Sequence, residues 1–379
     1  MVVKVLYVAD TFLPKRDGVV RYMLETVARF SKDIEVKFLA PDFGGARDAA
    51  KKNKFQATFC PIMRFKVADY PPTSPKSKII DAALKDIDIV CVQSIAPLGA
   101  ATILQAKKKG KKIIEVIHSI DWQLLAYVTR FPKRAIPIIR SAAKYLYKKN
   151  DLLIVADRTI RDTLRANNIK TPVKVIPLGI DRKKFNKDLG KRVLMRRKLG
   201  IKDNFVIGYL GRLSAEKNIE MLLKSLELVK KKIPNAKLLL IGGGAQEQIV
   251  KEKKNKDVIL TGFVENPEDY LQAVDVFVLP SKTETTALAL MEAMAVGLPV
   301  ISSAVGAIPS YVNSGQNGIL IAKNSLSAQM IANAVEIIHT SPQLRINLAK
   351  NAEKTIHKFY TWDKTAKELE EVFKDLVKK

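Results

Sequence analysis

Two carboxylates in the stretch 281-SKTETTALALMEAMAVGLPV-300 stand where carboxylates are costly. Glu292 lies among Ala287, Leu288, Ala289, Leu290, Met291, Ala293, Met294, Ala295 and Val296, so no polar face recurs at the 3.6-residue period of a surface helix. The segment reads as a largely buried helix, and a buried carboxylate persists only where donors surround it. Two explanations are open: an internal basic residue in a structural salt bridge, or a ligand. Glu284 stands in the loop ahead of the helix. Ser281, Thr283, Thr285 and Thr286 precede it, leaving the first helical amides, near Ala287 and Leu288, available to an anion. With a diphosphate at that end, each carboxylate can accept hydrogen bonds from a vicinal diol, one on a ribose and one on a sugar.

Two cations have a matching opportunity. In 208-GYLGRLSAEKNIE-220 a strand ends at Gly211 and Arg212, with Lys217 close behind. A guanidinium grips a diphosphate bidentately and an ammonium serves as a point charge; an ordinary pair of surface cations is the alternative. The turn 241-IGGG-244, with Gly243 at its centre, lets backbone approach a ligand. In 262-GFV-264 the backbone beside Val264 can edge a base.

These residues need strands that end together. Short Val- and Ile-rich runs alternate with amphipathic stretches, the pattern of βαβ units and a parallel sheet. Strands are expected near 2–8, 35–40, 87–92, 112–117, 151–155 and 173–176, then near 205–210, 237–241, 258–261, 276–279, 299–302 and 319–321. Helices are expected near 19–30, 97–109, 135–149 and 158–167, and the polar segment 177–200 reads as a linker. With 379 residues, two domains are the default. The expected architecture is α/β, two Rossmann-like domains whose parallel sheets face across a cleft. The divisions are 1–183, 184–361 and a terminal amphipathic helix, 362–379, returning to the first domain.

Composition narrows the class. No run reaches the ~20 apolar residues of a membrane span, and no signal peptide opens the chain. Cys60 and Cys91 have no metal-type spacing, and three histidines are too scattered for a metal cluster; a cytoplasmic protein without a bound metal is expected. The net charge is +27, with 42 Lys and Arg against 18 Asp and Glu in residues 1–200 and 23 against 20 in the rest. Such a field draws phosphates, on nucleic acid or on an anionic membrane. A nucleic-acid-binding protein would explain the charge but not Glu284 and Glu292, and no aromatic stacking platform accompanies it.

Ser281, Glu284 and Glu292, followed by Ala293-Met294-Ala295, Gly297 and Pro299-Val300, resemble the E-x7-E signature of the retaining family-four glycosyltransferases, which have the GT-B fold. The resemblance runs over nearly the whole chain: Gly211-Arg212 with Lys217 resembles the family's diphosphate grip, 177-PLGID-181 its interdomain motif, and 13-LPKRDGV-19 its first glycine loop. It implies that Arg212 and Lys217 hold the donor diphosphate, Glu292 the ribose and Glu284 the transferred sugar. It further implies that His118 contacts that sugar near its 6-position, and that Gly18 lets amides approach the phosphate or acceptor. The leaving phosphate then assists as base; Asp17 is the candidate protein base, its alternative being a turn residue. The expected donor is UDP-glucose, with GDP-mannose as the other candidate. One departure is Ala287, where the family commonly has glycine, while Thr285 after Glu284 is similar to the enzymes that glycosylate diacylglycerol. A catalytically silent scaffold is disfavoured because all four charged residues are retained.

The acceptor belongs to the first half. Residues 101–200 carry 26 Lys and Arg against 7 Asp and Glu, and residues 121–150 mix Trp122 with Arg130, Lys133, Arg134, Arg140 and Lys144. On a helix, Arg140, Lys144 and Lys148 form a cationic stripe beside an apolar one of Ile136, Ile139, Ala143 and Leu146. That pattern suits a helix lying on an anionic membrane. The expectation is reversible attachment to the inner face of the cell membrane and a lipid acceptor such as diacylglycerol; a soluble sugar or polysaccharide acceptor is the alternative.

Overall fold

The computed structural model describes residues 2–15, 17–65, 71–120, 122, 136–252 and 256–378. The chain forms two compact units, Met1–Leu178 with Trp362–Lys379, and Gly179–Thr361.

The first unit is built on seven parallel strands: β1 (Val3–Val8), β2 (Ile34–Pro41), β3 (Gln56–Cys60), β4 (Ile89–Val92), β5 (Lys112–Ile117), β6 (Leu152–Val155) and β7 (Val173–Val175), in the order 3-2-1-4-5-6-7. The second has six: β8 (Phe205–Leu210), β9 (Ala236–Ile241), β10 (Val258–Leu260), β11 (Val276–Leu279), β12 (Val300–Ser303) and β13 (Ile319–Ile321), in the order 10-9-8-11-12-13. Both are Rossmann-like α/β arrangements, as the alternating pattern predicts. Central strands such as β4 and β11 are buried along their whole length, because helices cover both faces of a parallel sheet. In each sheet the strand order reverses once, between β1 and β4 and between β8 and β11. Ligands of open α/β sheets bind beyond the carboxyl ends of the strands at such reversals.

The terminal helix Trp362–Lys378 packs within the first unit. Trp362 is fully buried and meets the edge of Tyr22, Phe373 meets Phe30, and the Thr365 hydroxyl donates to the Pro177 carbonyl at 2.8 Å.

Two expectations need correction. Residues 177–200 are more than a linker, since they contain the helix Leu189–Lys198, which is clamped to the second unit. Arg192 donates to the carbonyls of Gln272 and Val274 and to Asp275, while Arg196 reaches the Ala273 carbonyl and the same carboxylate. Four residues apart, the two guanidiniums share one face of the helix and satisfy the backbone leading into β11. The charge distribution shifts accordingly. Counted by unit, 38 Lys and Arg stand against 21 Asp and Glu in the first unit and 27 against 17 in the second, surpluses of +17 and +10. The steeper contrast between the two halves came from residues 179–200, which belong to the second unit.

Candidate functional site

In the second unit, the loops that follow β8 and β11 leave the point of strand reversal side by side. Gly211, Arg212 and Lys217 come from the first loop, Ser281 and Glu284 from the second. The loops are stitched by backbone: the Lys282 amide donates to the Glu216 carbonyl at 2.7 Å, and the Asn218 side chain to the Pro280 carbonyl at 3.2 Å. Lys217 Nζ lies 2.7 Å from Glu284 Oε1, and the Ser281 hydroxyl donates to the same oxygen at 2.6 Å. The Glu284 side chain is 8% exposed and that of Lys217 20%. The Arg212 guanidinium is more open, 3.7 Å from Glu216. Burial works to raise the Glu216 pKa, but the Ser214 hydroxyl and the Arg212 and Lys217 cations outweigh it and hold the carboxyl below its usual value. Buried Tyr209 is pushed far above the usual phenol range by desolvation, then by Glu284 and Glu216. It stays a neutral donor, fixing the Arg212 carbonyl at 2.8 Å.

The glycines here answer to crowding. A Cβ on Gly242 would fall 2.0 Å from the Gly211 carbonyl oxygen, and one on Gly306 would fall 2.0 Å from that of Glu284. Only glycine allows the loops after β9 and β12 to press on the backbone carrying Arg212 and Glu284. Gly243 is buried in the same turn, with the Phe263 ring against it: an added Cβ would stand 2.9 Å from that ring. Phe263 is 77% exposed, and Val264 beside it is half-buried.

The apolar segment forms the helix Leu288–Ala295, and Glu292 within it is 3% exposed and engaged with other groups of the protein. Ahead of the helix, Thr286 is buried and its carbonyl accepts from the Tyr311 hydroxyl at 2.7 Å. Ala287 caps the helix with left-handed backbone, φ 56° and ψ 62°, and no side chain caps the helix start. The amides of Leu288 and Ala289 precede the first helical hydrogen bonds, which run from Leu290 and Met291 to the Ala287 carbonyl at 3.0 and 3.3 Å. Left-handed backbone favours glycine, and at 287 an alanine bears the strain.

In the first unit, Asp17 accepts from the amides of Val19 and Val20, both at 2.9 Å, and from the Thr11 hydroxyl at 2.5 Å. Its oxygens cap the helix Gly18–Val27, the geometry of the turn residue rather than of a base. Gly18 is exposed at that helix start with open space around it. His118 follows β5, half-buried, with Nε2 3.0 Å from Gln93 Oε1 and its ring edge-on to Tyr22. Burial lowers its pKa to about 4, against the pull of Asp17, so the imidazole is neutral. Asp10, after β1, accepts from the amides of Leu98 and Gly99 and caps a helix that has no capping side chain of its own.

Around the helix Ile136–Tyr147 the expectation changes. The stripe of Ile136, Ile139, Ala143 and Leu146 turns toward the core, with Ala143 fully buried. Trp122 packs there too, against Tyr147, and is 6% exposed, so it is no surface anchor. The outer face instead carries Ile138, 73% exposed, and Tyr145, 54% exposed, with Arg140 and Lys148; Lys144 is half-buried and Lys149 stacks over Tyr145. Arg130, Lys133 and Arg134 lie outside the described residues. No helix among the described residues is long and apolar enough to cross a membrane.

Sequence reasoning passed over Phe263, Gln93 and Asp10. Phe263 stood inside a recognised turn, and the other two follow apolar strands at the reversal of the first sheet, a position that strand order alone reveals.

Two Rossmann-like units, with cations and carboxylates at the strand reversal of the second, fit a GT-B glycosyltransferase, and comparison with known proteins shows the class. Residues 16–184 match the family described as Glycosyltransferase Family 4, and residues 192–355 that described as Glycosyl transferases group 1; the chain belongs to these family-four glycosyltransferases. It is similar to the alpha-monoglucosyldiacylglycerol synthase of Acholeplasma laidlawii, 29% identical over 309 residues, covering 77% of this chain and 76% of that one. To the enzyme of the same name from Streptococcus pneumoniae it is 30% identical over 306 residues, 75% and 68% of the two chains. In fold it matches Anabaena HepE, solved in complex with UDP, with a TM-score of 0.81 over 98% of this chain and all of that one at 16% identity.

Proposed function

We propose that this glycosyltransferase acts with retention, moving a hexose from a nucleoside-diphosphate sugar to a lipid hydroxyl at an anionic membrane. The carrying observation is the Lys217–Glu284 ion pair at the reversal of the second sheet, beside Arg212 and an uncapped helix start. Without donor, each charge of the pair neutralises the other. With donor, Lys217 turns to the diphosphate together with Arg212 and the amides of Leu288 and Ala289, while Glu284 accepts from hydroxyls of the sugar. Glu292 accepts from the ribose, Phe263 offers its ring to the base, and the backbone at Gly243 and Val264 edges it.

The acceptor oxygen attacks C1 on the face from which the diphosphate departs. A C1–O bond forms as the C1–O–phosphate bond breaks, and the hydroxyl proton moves to the departing phosphate oxygen. Arg212 and Lys217 stabilise the charge that gathers there. No protein base is required, consistent with Asp17 serving as a helix cap.

Glucose and a diacylglycerol-type acceptor are supported by the names of the two similar synthases, and UDP is the donor nucleotide of this reading. The outer face of Ile136–Tyr147, with exposed Ile138 and Tyr145 among cations, suits an interfacial helix. At about 1 kcal/mol per basic residue near an anionic surface, a few contacts hold the enzyme reversibly at the inner face of the membrane.

The test is transfer of labelled sugar from UDP-glucose into the chloroform-soluble phase, with anionic vesicles containing diacylglycerol and GDP-mannose in a parallel reaction. Label in the lipid phase is expected with UDP-glucose. Folded protein that transfers only to soluble sugars, vesicles being irrelevant, would overturn the lipid assignment.

A further inference from the structure

The helix Leu189–Lys198 turns its apolar side chains outward. Arg192, Met195 and Arg196 face the second unit, where the two guanidiniums grip Asp275. On the other face Leu189, Val193 and Leu194 are 64–66% exposed. Next to them is a groove lined by Leu189, Leu298, Pro299 and Ile346, the last exposed on the helix Pro342–Phe359. This groove lies at the amino ends of β11 and β12, the opposite end of the sheet from Arg212, Lys217 and Glu284.

Cations surround these side chains. Residues 179–200 hold nine Lys and Arg against two Asp. Arg192 and Arg196 are used inward, Lys184 pairs with Glu268, and Lys191 with Asp269. Arg182, Lys183, Lys187, Arg197 and Lys198 are left exposed, with no anionic partner among the described residues. Arg345 and Lys350, also in the groove wall, are unpaired in the same sense. Of the groove's carboxylates, Asp188 accepts from the Lys191 amide and Asp275 is gripped, which leaves Glu353 to face them.

We propose that this face of the second unit rests on an anionic lipid bilayer, with Leu189, Val193, Leu194 and Ile346 entering the boundary between headgroups and acyl chains while the cations meet lipid phosphates. Exposed aliphatic side chains gain by leaving water, and cations that lose water need an anion in its place. A free phosphate or a nucleic acid would answer the charge and leave the aliphatic side chains wet. A second copy would cover them but set the same unpaired cations face to face. An anionic bilayer supplies an acidic surface with hydrocarbon about 5–10 Å beneath it, the depth reached by a helix lying in the interface. This surface lies within one unit and is separate from the helix Ile136–Tyr147. It shares with the function proposed above only the membrane, and needs neither the sugar nor the acceptor.

Cys60 and Cys91 are both buried, so Leu194→Cys offers one exposed thiol for an environment-sensitive nitrobenzoxadiazole label on the full chain. With vesicles of phosphatidylcholine and phosphatidylglycerol, its emission should rise and shift to the blue, and a quencher on the acyl chains should dim it. Pure phosphatidylcholine, or high salt, should leave the emission as it is in buffer. The same label at Ile337→Cys, an exposed position on the helix Ala328–Thr340 outside the groove, should stay silent. Lys187→Gln with Arg197→Gln, both at exposed positions, should lower the vesicle partition coefficient by about 25-fold, about fivefold per charge. A silent label at 194 on protein that still sediments with anionic vesicles would put the attachment elsewhere and overturn this proposal alone. A response that grows with protein concentration without vesicles would put a second copy on this face and overturn it. An equal response to pure phosphatidylcholine, or an unchanged partition coefficient in the double variant, would take the cations out of the contact and overturn it as well. Failure to sediment with any vesicle would overturn it together with the membrane attachment proposed above.

Discussion

Replacing Ala287 by glycine should raise the stability of the second unit, because this N-cap is held in left-handed backbone and glycine outranks alanine at a helix N-cap. Ala287 has φ 56° and ψ 62°, and left-handed backbone costs an L-residue about 1–2 kcal/mol through contact of Cβ with the following carbonyl. Glycine escapes that contact but brings about 0.4–1 kcal/mol of extra unfolded-state entropy. The difference favours glycine by about 0.5–1 kcal/mol. In a unit of roughly 180 residues, that corresponds to a Tm about 1–4 °C higher. Calorimetry on Ala287→Gly, with Ala289→Gly as control, measures it. Residue 289 lies inside the helix Leu288–Ala295, where glycine should cost about 1 kcal/mol, so the two variants should move Tm in opposite directions. A fall in both would show that the strain is relieved elsewhere or that the methyl packs usefully, and the backbone argument would fail.

Lys217→Met should lower kcat/KM for sugar transfer by about 100-fold or more, as loss of one preorganised donor does. The double variant with Glu284→Gln should recover thermal stability by removing the unpaired carboxylate, yet not recover activity. Phe263→Ala should weaken nucleotide binding by about 5- to 150-fold, the range of one stacked base, as read by calorimetric titration with UDP; unchanged affinity would remove the ring from the base site. Asp275→Asn leaves Arg192 and Arg196 without their shared anion and should cost about 2–3 kcal/mol, below the ~3–5 of a fully buried pair because these side chains are 11–30% exposed. Finally, His118 has a folded pKa of about 4, below the ordinary 6.5, so the unfolded chain takes its proton first as pH falls. Its contribution is present above pH 6.5 and should be lost progressively down to about pH 4, amounting to about 3 kcal/mol. Denaturant titrations across that range should show a shallower loss in His118→Asn than in the wild type.

Much of this protein was legible before folding. Alternating apolar and amphipathic runs determine the α/β class, since a strand covered on both faces must be apolar throughout while a surface helix needs only a stripe. The missed strand, Gln56–Cys60, lies at the edge of its sheet and is only partly buried, so it carries no continuous apolar run. Glu284 and Glu292 were marked by charge where charge is costly, Arg212 and Lys217 by their place just past a strand. Only the tertiary structure decided that Lys217 and Glu284 are partners, because strand order sets which loops meet and sequence distance does not. It likewise turned the apolar stripe of Ile136–Tyr147 inward, gave Arg192 and Arg196 a carboxylate to grip, put Ala287 in left-handed backbone and set Gln93 against His118. Each of these depends on what stands opposite a residue in space, and local periodicity holds no record of that.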